Sequence, residues 1–347
     1  MMDATLPEQM TVVDTHTAGE PTRIWVGGCL GAPGKTMAER RVWLRSNFDH
    51  LRTFLMQEPR GHRGMSGAIV GPPCDPAADI GIVYMDNYRY MPMCGHATIG
   101  VVTALAELGH LSPAGEENRL LLDTPAGQVK VRYRWSEGKV TEVSFRNVCS
   151  YHIVRASVDV RPWGTIPFDV AYGGNVFVLV SLEDLPLTIS PERLPELRDA
   201  ATEILRRVDR ETTITDPITG ETLRAVWLEF YDEHSNPPRN VVLGAPTSEE
   251  GNALLRCNKV DRSPCGTGLS AKLATLYSRG TLEIGETYRY QSIIGTEFRG
   301  TILETCQAGD AVGIVPEIFG SAHVIGIHTL FAAGGDPFRK GFLLPEG

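Results

Sequence analysis

Two cysteines occupy equivalent places in a repeat of the sequence. The segment CGHATIGVVTALAELGHL at 94–111 aligns without a gap with CGTGLSAKLATLYSRGTL at 265–282. Both segments begin with Cys-Gly and carry a glycine fifteen positions after the cysteine. A thiol at the start of a helix lies near the positive end of the helix dipole and near backbone N–H groups, and both favour the thiolate. The repeat therefore predicts two reactive thiols, Cys94 and Cys265.

Two such thiols can invert a carbon centre without a cofactor if they approach it from opposite sides. One thiolate removes a proton from a carbon next to a carboxylate, and the other thiol returns a proton to the opposite face. The N–H groups of the first helical turns form an anion site that suits the substrate carboxylate. Those groups belong to Gly95, His96, Gly266 and Thr267. The arrangement predicts a racemase.

The elements that carry the two thiols are predicted to be buried helices. Between Cys-Gly and the final glycine, each segment spans about four helical turns. Each is apolar on almost every side, which is typical of a helix enclosed by other elements. Gly109 and Gly280 stand where a helix commonly ends in a left-handed residue. We therefore expect two homologous halves, each with a central helix wrapped by strands.

The flanking segments have the patterns of strands, with one exception. KVRYRW at 130–135 alternates apolar and charged residues, and YRYQSIIG at 288–295 is rich in aromatic and branched residues. VVDTHTAGEPTRIWVGG at 12–28 has the pattern of two strands around a turn. The segment at 190–210 instead has Ser190 as an N-cap, Pro191 at the first helical position and an apolar stripe. It predicts a surface helix that packs on a sheet.

Length and composition limit the class of protein. A chain of 347 residues fits two domains of ordinary size. The formal net charge is −9 and no basic block occurs, so the charge pattern that nucleic acid or an anionic membrane requires is missing. The N-terminus lacks the basic and apolar regions of a signal peptide, and no apolar run approaches a membrane span. These observations favour a cytoplasmic protein with a small-molecule partner.

The other cysteines show no pattern that indicates a site. Seven cysteines are present, and no C-x-x-C pair occurs among them. Their odd number and wide scatter argue against a disulfide framework and against a zinc site. We expect reduced, packed thiols at the remaining positions, Cys29, Cys74, Cys149, Cys257 and Cys306. The sequence also lacks a Walker A pattern, a strand followed by G-x-G-x-x-G, and H-E-x-x-H, so neither a cofactor nor a metal is expected.

The motifs around the two cysteines resemble the paired signatures of the proline racemase family. These motifs are MCGH at 93–96 and DRSPCGTG at 261–268. The resemblance continues through DTHTAGEPTR at 14–23, EPRGHRGMSGA at 58–68, DTPAG at 123–127, YGGNVF at 172–177 and SIIGTEFRG at 292–300. It implies an α+β fold of the diaminopimelate-epimerase type, with two pseudo-symmetric halves that are each a β half-barrel around a central buried helix.

The resemblance and the repeat offset together place the two halves along the chain. The first half-domain is expected to comprise residues 1–124 plus about 304–347 and to carry the Cys94 helix. The second is expected to comprise residues 125–303 and to carry the Cys265 helix. The active site is expected in the cleft between them. The resemblance also implies a homodimer.

The resemblance implies specific roles for residues near the cysteines. The family contains proline racemases, 4-hydroxyproline 2-epimerases and trans-3-hydroxyproline dehydratases. Cys94 and Cys265 would be its acid and base and would exchange roles with the enantiomer bound, while His96 and Asp261 would orient the substrate and help to hold its amine. The dehydratases characteristically have threonine where this chain has Cys265. The resemblance thus implies an isomerase that inverts the α-carbon of proline or 4-hydroxyproline, with the dehydratase reaction as an alternative.

Two other functions stay open on the residues alone. The two thiols could form a redox-sensitive disulfide, or the helix starts could bind an amino acid without catalysis. Three further residues are candidates for substrate contacts. His62 lies in a matched segment, and Gly295 and Thr296 can donate hydrogen bonds to a carboxylate. A loop histidine and a turn at a strand end explain these residues as well.

Overall fold

Residues 6–26, 31–183, 185–247 and 254–344 are described by the computed structural model. The chain divides into two units, one of Met1–Phe145 with Gly320–Gly347 and the other of Arg146–Phe319. Both divisions fall later in the chain than the expected positions at residues 124 and about 303. The strands that begin at Gly127 and Lys139 stay with the first unit, and the strand that begins at Ala311 stays with the second.

The first unit consists of strands and helices around one buried helix. Its strands are β1 (Gln9–Thr17), β2 (Glu20–Trp25), β3 (Ser66–Gly71), β4 (Ile80–Asp86), β5 (Tyr90–Met91), β6 (Glu117–Thr124), β7 (Gly127–Ser136), β8 (Lys139–Arg146) and β20 (Ala322–Phe331). Its helices are α1 (Met37–Asn47), α2 (Asp49–Met56) and α3 (Gly95–Glu107).

A hairpin and a returning strand enclose α3. β1 pairs antiparallel with β2 and β20, and β2 runs parallel to β3. The sheet continues from β3 through β4 and β6 to β7. α3 packs against β1, β2, β3 and β20, and every residue from Gly95 to Ala106 is buried. A second part of the core, which includes Phe48 and Phe54, lies beneath α1 and α2.

The second unit has a similar plan. Its strands are β9 (Tyr151–Val160), β10 (Gly164–Tyr172), β11 (Val176–Ser181), β12 (Ile214–Thr215), β13 (Thr222–Leu223), β14 (Trp227–Asp232), β15 (Arg239–Gly244), β16 (Lys259–Asp261), β17 (Thr287–Gln291), β18 (Glu297–Ala308) and β19 (Ala311–Gly320). Its helices are α4 (Leu194–Glu211) and α5 (Gly266–Ser278).

Strands surround α5 as they surround α3. β9, β10 and β11 are antiparallel neighbours, β11 runs parallel to β14, and β14 pairs antiparallel with β15. β17, β18 and β19 form another antiparallel run. α5 packs against β9, β10, β11 and β18 and is buried from Gly266 to Thr275. α4 follows a short 3-10 turn capped at Ser190 and packs against β9 and β14. Its buried stripe includes Leu197, Ala201, Ile204, Leu205 and Val208.

These elements confirm the α+β class and both predicted helices. α3 and α5 begin directly after their cysteines, and Gly109 (φ 77°) and Gly280 (φ 67°) follow them in the left-handed conformation. Residues 130–135 lie within β7, and β1 and β2 form the predicted hairpin, although its expected last residues 27 and 28 lie outside the described residues. Residues 288–291 belong to β17, whereas 292–295 turn toward β18.

One expectation about the cysteines is wrong. Cys149 and Cys306 form a disulfide and are not two reduced thiols. Cys306 on β18 stands opposite Gly313 on β19, where a Cβ would lie 2.9 Å from Cys149 Sγ. The glycine therefore leaves room for the bridge. The two cysteines are 157 residues apart. Ser150 pairs with Ile314 of β19, and the register of β18 with β19 then places Cys306 beside Cys149.

The other cysteines outside the two helix starts have different surroundings. Cys257 is completely buried, as expected, and Cys74 is partly buried. Cys29 lies outside the described residues. No helix within the described ranges is both long and apolar enough to cross a membrane.

Candidate active site

Cys94 lies at the start of the buried helix of the first unit. It is the N-cap residue of α3 and is 6% exposed. Its Sγ lies 3.3 Å from Nδ1 and 3.7 Å from Nε2 of His96, which is also buried. The N–H groups at the start of an α-helix have no acceptor within the helix. A thiol and an imidazole thus adjoin a set of N–H donors.

The hairpin of β1 and β2 holds this helix start in place. Thr17, the last residue of β1, donates a hydrogen bond from its hydroxyl to the carbonyl of His96 at 2.8 Å. One turn further along α3, a Cβ at Gly100 would lie 2.6 Å from Thr15 Oγ1. The helix therefore approaches β1 more closely than any residue with a side chain would allow. This support is a role of the DTHTAGEPTR motif that the sequence pattern alone did not reveal.

A buried ion pair fixes the same hairpin. Asp14 and Arg23 are partners across β1 and β2, and the guanidinium donates two hydrogen bonds to the carboxylate at 2.9 and 2.8 Å. Arg23 also donates to the carbonyls of Leu55 and Arg60, at 3.1 and 2.5 Å. The side chains of Arg23 and Asp14 are only 8% and 11% exposed. The pair therefore links the hairpin to the last turn of α2 and to the segment that follows it.

Cys265 begins α5 in an unusual backbone conformation. Its φ and ψ are 63° and 102°, and positive φ is uncommon for residues other than glycine. Its Sγ accepts a hydrogen bond from Gly268 N at 3.4 Å and lies 3.6 Å from Thr267 Oγ1. Such a conformation costs about 1–3 kcal/mol and clusters at functional sites, where the surroundings enforce it. The structure therefore directs the Cys265 thiol into the first turn of α5.

Asp261 organises the loop that leads to Cys265. Its Oδ1 accepts hydrogen bonds from Ser263 N and Oγ at 2.9 and 2.7 Å, and Ser263 Oγ accepts one from Cys265 N at 3.1 Å. Burial raises the pKa of the Cys265 thiol well above its usual range, and the Asp261 carboxylate raises it further. The expectation that the helix start lowers this pKa is wrong for Cys265. Loss of solvation and a neighbouring carboxylate together outweigh the helix dipole.

The YGGNVF motif provides the surface on which α5 docks. A Cβ at Gly173 would collide with the carbonyl oxygen of Thr267 and lie 2.6 Å from Ala271 N, both backbone atoms of α5. Asn147 donates hydrogen bonds from Nδ2 to the Gly173 carbonyl and to Ser270 Oγ, both at 2.8 Å. Glycine is therefore required at 173 because the helix backbone occupies the space of a side chain.

We expect Gly173→Ala to lower the free energy of unfolding by about 2–3 kcal/mol, because a backbone collision cannot be relieved by a change of rotamer. Urea unfolding followed by circular dichroism measures the change. Gly115→Ala is the matched control, since no atom lies within 4 Å of a Cβ at that position. Equal stability of the two variants would contradict the close approach of α5 to Gly173.

The remaining candidates lie in loops and turns. His62 is exposed, and its Nδ1 lies 2.9 Å from the carbonyl of Arg63. Gly295 (φ 83°) and Thr296 lie in the turn between β17 and β18. Gly295 N donates to the carbonyl of Ser292 at 2.9 Å, and the hydroxyls of Thr296 and Ser292 are 2.7 Å apart. These hydrogen bonds of Gly295 and Thr296 lie within the turn itself.

A group of ionisable residues on and beside α5, most of them buried, was not predicted from the sequence. Glu229 on β14 is completely buried and accepts a hydrogen bond from Tyr290 OH at 2.5 Å. Lys272 on α5 is 1% exposed, pairs with Glu233 at 2.5 Å, and places its Nζ 3.1 Å from the centre of the Tyr231 ring. The one signal in the sequence is a charged residue inside an apolar strand or helix. A charge in an apolar segment does not show which side chain it pairs with in the folded protein.

Comparison with known proteins gives matches over nearly the whole chain. A family model described as proline racemase matches residues 12–343. A proline racemase from Clostridioides difficile is 38% identical, with 96% of this chain and 97% of that protein covered. A 4-hydroxyproline 2-epimerase from Streptosporangium roseum is also 38% identical, with coverage of 96% and 97%. The crystal structure of a hydroxyproline epimerase from Agrobacterium vitis, with bound trans-4-hydroxy-L-proline, matches with a TM-score of 0.88 at 30% identity, over 97% of this chain and 95% of that one.

Proposed function

Because this chain belongs to the proline racemase family, we propose that it inverts the α-carbon of proline or 4-hydroxyproline by proton transfer between two cysteines. It is an isomerase, as the proline racemases and hydroxyproline epimerases are. The observation that carries the two-cysteine proposal is the common position of Cys94 and Cys265. Each is buried at the start of a helix that is itself buried among strands.

In the proposed reaction, the two thiols act on opposite faces of the α-carbon. The Cys94 thiolate takes the α-proton, so the C–H bond breaks and its electrons stay on the carbon. The Cys265 thiol then gives its proton to the other face, and the electrons of the S–H bond stay on sulfur. The enzyme is left with the protonation of the two cysteines reversed, which is the state that processes the substrate of opposite configuration at C2. The raised pKa of Cys265 supports its role as the acid in the first direction.

The groups around the thiols would supply the substrate contacts. N–H donors at the start of α3 and α5 suit the carboxylate, and they stabilise the negative charge that develops when the proton leaves. These donors belong to Gly95, His96, Gly266 and Thr267. The Asp261 carboxylate and the His96 ring suit the substrate amine. An ammonium beside Asp261 would also offset the charge that disfavours the Cys265 thiolate.

Two parallel incubations test the substrate. The relatives named proline racemase and 4-hydroxyproline 2-epimerase are equally similar to this chain, so identity does not separate the two substrates. We expect the protein without any added cofactor to invert C2 of L-proline or of trans-4-hydroxy-L-proline, as measured by chiral chromatography. Boiled protein serves as the control. Inversion of neither compound would overturn the proposed substrates.

A further inference from the structure

One oxygen of the buried Glu229 carboxyl has no role in the proposed reaction. Its Oε1 accepts the hydrogen bond from Tyr290 OH at 2.5 Å. Its Oε2 is buried and accepts no well-formed hydrogen bond from the described residues, although the Asn240 side chain lies near enough to lower the pKa of the carboxyl. A buried carboxyl oxygen without a donor is costly, so such a group calls for an explanation.

This oxygen points into the first turn of α5, next to the Cys265 thiol. A Cβ at Gly268 would lie 2.6 Å from Glu229 Oε2, 3.2 Å from Cys265 Cβ and 3.3 Å from Cys265 Sγ. The carboxyl oxygen and the sulfur therefore border the same small volume from two sides. Glycine at 268 keeps that volume open, and its N–H donates to the sulfur at 3.4 Å. No other side chain lies among the three nearest atoms at this point.

Several charged, titratable or hydrogen-bonding groups face this pair. On the Glu229 side they are Lys272 of α5, Tyr290 and Tyr288 of β17, Asn240 of β15 and Glu233, which follows β14. On the Cys265 side they are Asp261 of β16 and Thr267 of α5. Burial raises the pKa of Glu229 to about 7, although Tyr290 and Lys272 act in the opposite direction. The carboxyl can therefore change its charge near neutral pH.

We propose that Glu229 is a positioning residue that keeps the proton on the Cys265 thiol in the resting protein. The inference rests on the proposed two-thiol function, because it assigns Cys265 the part of the acid at the start of a turnover. A carboxylate beside a thiol disfavours the thiolate, since two like charges would then share a poorly solvated space. Protonation of Glu229 removes that repulsion. The charge of Glu229 thus controls how readily Cys265 becomes a base.

The pH dependence of Cys265 alkylation tests this proposal without using the enzymatic reaction. Glu229→Gln keeps the size of the side chain and removes its charge. The full-length protein is treated with iodoacetamide over a range of pH, and peptide mass spectrometry gives the rate at Cys265, since only the thiolate reacts. We expect the midpoint to fall by about one pH unit in the variant, so that the rate at pH 7 rises about tenfold.

Two comparisons distinguish a change in the pKa of Cys265 from a general increase in the accessibility of buried cysteines. Cys257 is completely buried, and its raised pKa is caused by burial and not by Glu229. Its alkylation rate should be the same in both proteins. Glu233→Gln is the matched control, because Glu233 is an exposed carboxylate that pairs with Lys272 and Tyr288, whereas Glu229 borders the Cys265 sulfur. That variant should keep the Cys265 midpoint of the unaltered protein.

An unchanged Cys265 midpoint in Glu229→Gln would overturn the inference, as would an equal rise in rate at Cys265 and Cys257. Glu229→Asp moves the carboxyl away from Cys265 by one methylene group and should give an intermediate midpoint. This variant replaces Glu229→Gln in the test if the glutamine variant does not fold. The two-thiol reaction fails separately, if Cys94→Ser or Cys265→Ser leaves turnover intact. The two failures can therefore be told apart.

Discussion

Replacing either Cys94 or Cys265 with serine is expected to lower the rate of inversion about a thousandfold or more. General acid–base catalysis by one positioned group contributes about 10²–10⁴-fold, and a hydroxyl is far too weak an acid to replace a thiol in either role. Serine is close to cysteine in size, and its oxygen can still accept the hydrogen bond from Gly268 N. The fold should therefore persist. Turnover is measured by chiral chromatography with the substrate that the unaltered protein inverts.

The pattern among the cysteine variants distinguishes the candidate functions. Cys74→Ser is the matched control, because Cys74 is only partly buried and lies at neither helix start. It should keep the rate of the unaltered protein. Loss of turnover in both helix-start variants, with retained binding, is the result expected for an acid–base pair. Full activity in either variant would contradict that assignment. A protein that only binds its ligand would keep its affinity in both variants.

Replacing Arg23 with alanine is expected to lower the free energy of unfolding by about 3–5 kcal/mol, which is typical when one partner of a buried ion pair is removed. The change leaves the buried Asp14 carboxylate without its bidentate partner, and it leaves the carbonyls of Leu55 and Arg60 without their donor. Urea unfolding measures the loss.

The control for this prediction is an exposed ion pair of the same unit. Arg134 and Glu117 pair at 3.6 Å, and their side chains are 57% and 65% exposed. Arg134→Ala should therefore change stability by no more than about 1 kcal/mol. If Arg23→Ala were no more destabilising than Arg134→Ala, the buried pair would not hold the hairpin that supports α3.

The two buried helices could be predicted from the sequence because their signals are local. An apolar segment, a cysteine at its start and a glycine at its end all lie within about twenty residues. The hairpin of β1 and β2 was similarly visible, because alternation and a glycine turn suffice. The contacts through which the hairpin holds the start of α3 could not be predicted. The Asp14–Arg23 pair and the contact of Thr17 with His96 depend on the register of strands and on the packing of a helix that begins far along the chain.

The largest errors concern cysteines, and both come from contacts between distant residues. The disulfide of Cys149 and Cys306 depends on the pairing of β18 with β19 and of Ser150 with β19, so the spacing of cysteines in the sequence gave no sign of it. The expected lowering of the thiol pKa at Cys265 used the helix dipole, which is worth about 0.3–1 kcal/mol at an exposed site. Burial can shift a pKa by several units. Its effect at Cys265, strengthened by Asp261 and Glu229, could only be seen once those carboxyls were placed.

The central claim is that two different cysteines act on the two faces of one carbon, and the isotope content of the first product tests it most directly. The substrate with the L configuration at C2 is incubated in D₂O, and the reaction is stopped after a small fraction has reacted. Substrate and product are then separated and analysed by mass spectrometry. The two-thiol account predicts deuterium at C2 of essentially every D-product molecule, while the remaining L-substrate keeps its proton. Product that carries the original proton, or deuterium that enters the remaining substrate as fast as product forms, would show that a single base serves both faces and would contradict the account.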